Sequence, residues 1–212
     1  MTSSPAEISR FIYVMDPMCS WCWAFRPSIT ALQQRYPETP WLYLMGGLAP
    51  DSEEPMAEAM QAKLISVWQQ IEQRTGTRFN FDFWKNNTPR RSTYPACRAV
   101  ITADSLLPGS AGDMILAIQQ AYYTEARNPS DLAVLCALAE QLGIDPERFE
   151  QRLNSAETEE QLQQQIIQGQ RLGAQGFPAL FLQTERSIEA LSYGYAKAED
   201  ILRRVATAGR NR

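Results

Sequence analysis

The sequence contains no histidine in 212 residues. That absence removes Ser-His-Asp and Cys-His catalysis, the H-E-x-x-H metalloprotease helix and every histidine-bearing zinc site. Cysteine is scarce as well, at four residues, so no disulfide framework staples the fold. With 44% hydrophobic residues, a chain of this length can bury a substantial core without one. No long basic tract is present, and a net charge of −4 with a pI near 5.0 argues against broad attraction to nucleic acid or anionic lipid. Apolar runs are short, and none is long enough to span a bilayer. The start, from Met1 to Arg10, lacks the basic head and apolar stretch of a secretory leader, which makes the cytoplasm the expected location. In a reducing compartment a close cysteine pair is more often catalytic or redox-sensing than a structural bridge.

What is present is concentrated in one stretch. Asp16-Pro17-Met18-Cys19-Ser20-Trp21-Cys22 puts two thiols three positions apart, directly after the apolar run 11–15 and at the head of a helical pattern. Disulfide exchange needs a thiolate to attack and a second thiol near enough to displace the resulting mixed disulfide. A first helical turn meets both needs. Cys19 would lie beside the unpaired amides and positive dipole end, which favour a negative sulfur, and Cys22 one turn inside. We therefore expect Cys19 to be the outward-facing nucleophile and Cys22 the resolving thiol. The helix is read from Cys22, Phe25, Ile29, Leu32 and Tyr36, one apolar stripe at three- and four-residue intervals, with a bend expected near Pro27. A zinc or iron–sulfur site would want a second such pair or paired histidines, so no metal is expected. Cys97 and Cys136 sit far apart in apolar helical patterns and read as inert core residues.

Residues 11–15 and 41–45 are short, almost wholly apolar and rich in aromatics, which suits strands buried on both faces. The helix between them makes a right-handed βαβ unit, with the cysteine pair at the carboxyl end of the first strand, where open α/β sheets place their sites. From 51 to 172 the texture turns helical, with helices expected over 55–74, 94–107, 112–124, 131–142, 146–153 and 158–172. Segments 178–182 and 187–191 then read as a β-hairpin, and 196–206 as a closing helix. The expected fold is therefore α/β, with a discontinuous domain of residues 1–50 and 173–212 and a helical insertion of residues 51–172.

Three segments carry a family resemblance: Asp16-Pro17-Met18-Cys19-Ser20-Trp21-Cys22-Trp23, Tyr94-Pro95-Ala96-Cys97-Arg98-Ala99-Val100, and Gly173-Ala174-Gln175-Gly176-Phe177-Pro178-Ala179-Leu180. Together and in this order they resemble the thioredoxin superfamily, in its DsbA-like branch with a helical insertion and protein-disulfide isomerase activity. The resemblance implies a thioredoxin-like fold and a cis proline at Pro178 facing the cysteine pair. It also makes the backbone of Phe177 available to pair with an extended substrate segment. With Ser20 and Trp21, which lie between the cysteines, Phe177 and Pro178 make up the expected substrate-binding set. Of Trp21 and Trp23, at least one is expected in the core, with Trp21 nearer the surface.

Two departures from the family pattern matter. The position six residues before the first cysteine, often a buried acid in such proteins, is Tyr13 here. The nearest acid, Asp16, is read as a helix cap or loop residue, or as a proton relay, and its charge would oppose a thiolate on Cys19. Trp21 stands where DsbA carries a histidine, so a weaker oxidant than DsbA is expected. Arg90, Arg91 and Arg98 form a positive cluster, read as a solvated ion-paired face or as a seat for a carboxylate such as that of glutathione.

The expected function is thiol–disulfide exchange by a Cys19–Cys22 couple. It needs no bound cofactor, only an external thiol or disulfide partner. The substrate would be a protein or a small thiol, with no nucleic acid or membrane partner. Two alternatives stay open: a glutathione-dependent transferase or isomerase similar to the kappa class, and a non-enzymatic metal-holding or redox-gated module.

Overall fold

The computed structural model describes residues 8–208. The reading of the amino terminus as leaderless concerns mainly residues 1–7, which lie outside them. Four strands form one mixed sheet in the order β2-β1-β3-β4: β1 (Ile8–Met15), β2 (Trp41–Met45), β3 (Ala179–Thr184) and β4 (Ile188–Tyr193). β1 pairs parallel with β2, from Phe11 opposite Trp41 to Met15 opposite Met45. It pairs antiparallel with β3, and β3 pairs antiparallel with β4. The first crossover is α1 (Ser20–Arg35). The order βαβ, helices, ββα and the sheet make this a thioredoxin-like fold with a helical insertion.

The sequence of β1 explains its central place. All five residues from Phe11 to Met15 are buried, and their alternation feeds two cores on opposite faces of the sheet. Phe11, Tyr13 and Met15 join the larger one with Phe25, Ile29 and Leu32 of α1, and it continues into the helical region. Ile12 and Val14 join the smaller one with Leu44, Ala179 and Phe181. Each such side chain contributes ~1.5–3 kcal/mol by leaving water. Polar substitution anywhere in this run would unseat a whole layer.

Between β2 and β3 lie α2 (Glu58–Thr75), the single-turn α3 (Phe83–Asn86), α4 (Tyr94–Leu106), α5 (Ala111–Tyr123), α6 (Leu132–Gln141), α7 (Pro146–Leu153) and α8 (Ala156–Arg171); α9 (Ala198–Ala208) closes the chain. Trp68 of α2 is the hub of an aromatic cluster with Phe79, Phe83, Tyr122 and Tyr123. Trp23 stacks on Tyr123 at 5.8 Å, so the cysteine-bearing helix is anchored in that cluster. Gly169 of α8 meets the sheet face: a Cβ there would lie 2.8 Å from Val14 Cγ1.

Several expected boundaries move. The helix expected over 55–74 begins at Glu58, because the backbone of Pro55 is bridged to Arg90 instead. α3 was not anticipated, since four residues carry no periodicity. α8 starts before position 158, at Ala156, where the Ser155 hydroxyl accepts the Thr158 N–H as N-cap. The hairpin strands run further than 182 and 191, because the Thr184 hydroxyl accepts the Arg186 and Ser187 amides and so shapes the turn itself. α1 continues past Pro27 to Arg35, and Tyr36 lies just beyond its end as the C-cap.

Candidate active site

Strand direction brings the distant segments together. Because β3 runs antiparallel to β1 with Ala179 opposite Val14, the residues just before β3 meet the residues just after β1. Cys19 and Phe177, 158 positions apart in sequence, are thereby placed side by side: the Cys19 thiol points to the Phe177 carbonyl oxygen at 3.9 Å. The Phe177–Pro178 bond is cis, and the Pro178 carbonyl accepts the Gly194 amide. The Phe177 ring lies over Gly46, where a Cβ would fall 2.0 Å from Phe177 Cε1.

Cys19 is the N-cap residue of α1, its backbone carbonyl accepting from Cys22 N (2.9 Å) and Trp23 N (3.1 Å). This is the positive end of the helix, an interaction worth about 0.3–1 kcal/mol to a negative charge. The outward-facing placement expected from sequence needs correcting. Cys19 is only 8% exposed, and no helix amide bonds to its side chain. It forms part of the wall of an open cleft of about 750 Å³, together with Ser20, Trp21, Leu48, Gln175 and Phe177. Cys22, 1% exposed, lies behind it, and both thiols are free. Burial first, then the adjoining Cys19, pushes the Cys22 thiol well up. Burial thus favours the protonated form of Cys22.

Asp16 neither caps α1 nor sits at the surface. It is fully buried, and its carboxylate accepts from the Met18 amide (2.8 Å), the Leu48 amide (2.8 Å), the Thr93 hydroxyl (2.7 Å) and the Cys97 thiol (3.4 Å). The side chain therefore ties the cysteine loop to the loop after β2 and to α4. Burial raises its pKa, opposed by these hydrogen bonds. Cys97 is buried as expected, but as a donor to this acid rather than an inert apolar side chain. Burial and the Asp16 charge push its thiol well up. Cys136, expected in the core, is half-buried.

The remaining expected residues divide. Trp21 borders the cleft, packs on Tyr195 and lies under Arg74, while Trp23 donates its indole N–H to the Arg78 carbonyl; both are half-buried, so neither is the core residue expected. Arg98 is held by Asp51 and Glu159, each at 2.8 Å, and Arg90 by Asp131 at 2.6 Å, with both arginines largely covered. Arg90 and Arg98 are thus ion-paired as expected, but recessed rather than on a solvated face. Arg91 is exposed at the cleft and makes no ion pair among the described residues. The helical region adds cleft residues that sequence reading missed, among them Tyr122 and Gln170, and the loop after β2 adds Gly46, Gly47 and Leu48. The paired glycines after an apolar strand were the available signal for a close backbone approach.

Among the described residues no group of three or more His, Cys, Asp or Glu side chains converges to hold a metal, and no helix is long and apolar enough to cross a membrane.

Known proteins are similar to this chain. The ClpXP adapter protein SpxH of Bacillus subtilis (strain 168) is 28% identical over 206 residues, covering 93% of this chain and 67% of that one. A structure from Nitrosomonas europaea, whose own assignment as a protein disulfide isomerase is provisional, has 28% identity and a TM-score of 0.82, covering 95% of this chain and 97% of that one. The cytosolic disulfide reductase DsbM of Pseudomonas aeruginosa, solved with GSH, has 25% identity and a TM-score of 0.75, covering 93% and 98%. The family description of the DSBA-like thioredoxin domain matches residues 12–202, nearly the whole chain. The chain belongs to the DSBA-like thioredoxin domain family.

Proposed function

We propose that the protein is a cytoplasmic thiol–disulfide oxidoreductase or isomerase that works through a Cys19–Cys22 couple, with Ser20, Trp21, Phe177 and Pro178 seating the substrate. The observation that carries this is the asymmetry of the two thiols. Cys19 borders an open cleft with its thiol directed at the Phe177 carbonyl, and Cys22 is buried behind it, where burial favours its protonated form. Cys19 as thiolate attacks a substrate disulfide, forming a mixed disulfide and releasing one substrate thiolate. Cys22 then loses its proton and attacks Cys19, forming the internal disulfide and releasing the second thiolate. Two electrons pass to the substrate, and an external thiol restores the pair. The position of Phe177 at the cleft, just before the cis proline and the start of β3, supports an extended peptide as substrate. Arg91 supports a small anionic thiol such as glutathione as the electron partner, in keeping with the GSH-bound relative.

Reducing the disulfide form in glutathione buffers of graded potential tests this reading. A single two-electron transition, tenfold in ratio per ~30 mV, is expected. Its midpoint separates a reductase from an isomerase or oxidant. Two thiols that take up glutathione independently, with no internal bond formed, would contradict the proposal.

The cleft geometry gives a second expectation. Gly46→Ala must displace the Phe177 ring from its place beside Cys19, and roughly a tenfold loss in the rate of mixed-disulfide formation is expected. Gly176→Ala, where an added Cβ meets nothing within 4 Å, should leave that rate within about twofold. Stopped-flow kinetics with a chromogenic disulfide measures both. Equal rates in the two variants would show that the Phe177 position is irrelevant.

The relation to SpxH supports another reading, in which the cleft holds a protein partner without turnover. Partner binding that survives in a Cys19→Ser, Cys22→Ser double variant would favour it.

A further inference from the structure

Of the large apolar side chains exposed among the described residues, Leu48 is the one that lines the cleft beside Cys19. It is 40% exposed, yet the loop that carries it is fixed from both ends. Gly47 turns the chain in the left-handed region at φ 63°, where a Cβ would fall 2.6 Å from Ile166 Cδ1 and 2.8 Å from Tyr94 Cε1. The Leu48 amide donates to Asp16 Oδ2 at 2.8 Å, and the Ala49 amide donates to the Thr93 hydroxyl at 3.0 Å. The Ala49 carbonyl accepts in return from the Thr93 and Tyr94 amides, at 3.0 and 3.2 Å. That Thr93 hydroxyl is buried and shared, for it also donates to Asp16 Oδ2 at 2.7 Å. Three positions beyond Leu48, the Arg98 guanidinium takes both oxygens of Asp51 at 2.8 Å, and it reaches Glu159 of α8 at 2.8 Å. A segment without helix or strand is thereby held as firmly as one, with an apolar side chain facing open space next to the nucleophile.

We propose that Leu48 is a specificity contact of the cleft, meeting an apolar side chain beside the substrate cysteine, and that Thr93 and Arg98 are the positioning residues that hold it there. This rests on the redox reading above and narrows its substrate class to peptide disulfides with apolar neighbours. Met18, Trp21 and Met56 line the same cleft, so an apolar side chain arriving at Leu48 leaves water among apolar groups. A polar neighbour of the substrate cysteine would lose water there without gaining a partner. Because the loop is already fixed, substrate binding has little further chain to order, and less of the contact is spent on doing so. Thr93 joins the Leu48 loop to the cysteine loop through Asp16, and Arg98 joins it to α8 through Glu159. Their side chains bond to neither cysteine of the couple. Loss of either therefore frees Leu48 rather than removing a reacting group.

Two disulfide-linked peptide dimers test this, identical except that either leucine or serine flanks the cysteine on both sides, with a small thiol as electron source. The readout is the ratio of kcat/KM for the leucine peptide to that for the serine peptide, which a change in the amount of folded enzyme cannot move. Wild type should favour the leucine peptide roughly tenfold. Leu48→Ser should bring the ratio to within about twofold of one. Thr93→Val, which removes the shared hydroxyl at similar volume, should lower the ratio roughly fivefold, and Thr93→Ser should restore it. Arg98→Lys, which cannot make the two-pronged bond to Asp51, should lower the ratio in the same direction and carries the test if Thr93→Val does not fold. A wild-type ratio near one, or a preference that survives in Leu48→Ser, would overturn the contact. A full preference in folded Thr93→Val and Arg98→Lys would overturn their positioning role while leaving the redox couple intact. No turnover of either peptide by wild type would overturn the redox reading and this role with it.

Discussion

Replacing Cys19 with serine is expected to lower disulfide-reducing turnover at least about 10³-fold, because a serine hydroxyl cannot supply the ionised nucleophile that attacks sulfur. Insulin reduction with a small thiol as electron source measures this directly. Cys136→Ser should stay within about twofold of wild type, since that half-buried residue on α6 does not line the cleft. The contrast matters more than either value alone. Loss in both variants would indicate damage to the fold, and turnover surviving in Cys19→Ser would place the chemistry elsewhere.

The largest stability effect is expected at Asp16. Asp16→Ala leaves the Met18 and Leu48 amides, the Thr93 hydroxyl and the Cys97 thiol without their acceptor. A buried unsatisfied donor costs about 1–3 kcal/mol, so a total loss of ~3 kcal/mol or more is expected. For a chain of this size that lowers Tm by about 6–12 °C. Asp16→Asn preserves one acceptor oxygen and should lose less. The acid's pKa is raised in the folded state, so its contribution is full below its unfolded value near about pH 3.9 and declines as pH rises through the raised value. The gap between wild type and Asp16→Asn should therefore narrow from about pH 4 to pH 7. Thermal melts of the three proteins at several pH values check magnitude and sign together. A gap that widens with pH would mean the carboxylate is favoured by folding.

The parts of the fold that could be read in the sequence were those with a period. β1, α1 and β2 follow from continuous apolar runs and one helical stripe, and the hairpin and closing helix follow from alternation and spacing. The cysteine pair was legible because three-residue spacing on a first turn has few other uses. What stayed hidden was set by contacts between segments distant in sequence. Asp16 looked like a helix cap from its neighbours, and only the loop after β2 and the start of α4 give it three of its four donors. The surroundings of Cys19 likewise depend on Phe177, whose carbonyl meets a sulfur that local sequence leaves at a helix end.

The central claim is that Cys19 meets the substrate and Cys22 resolves it. The most direct measurement is to incubate the Cys22→Ser variant with a disulfide-bearing peptide, digest under acid and map the adduct by mass spectrometry. The account predicts a stable, stoichiometric mixed disulfide at Cys19 that a small thiol releases. An adduct on Cys97 or Cys136, or none at all, would contradict it.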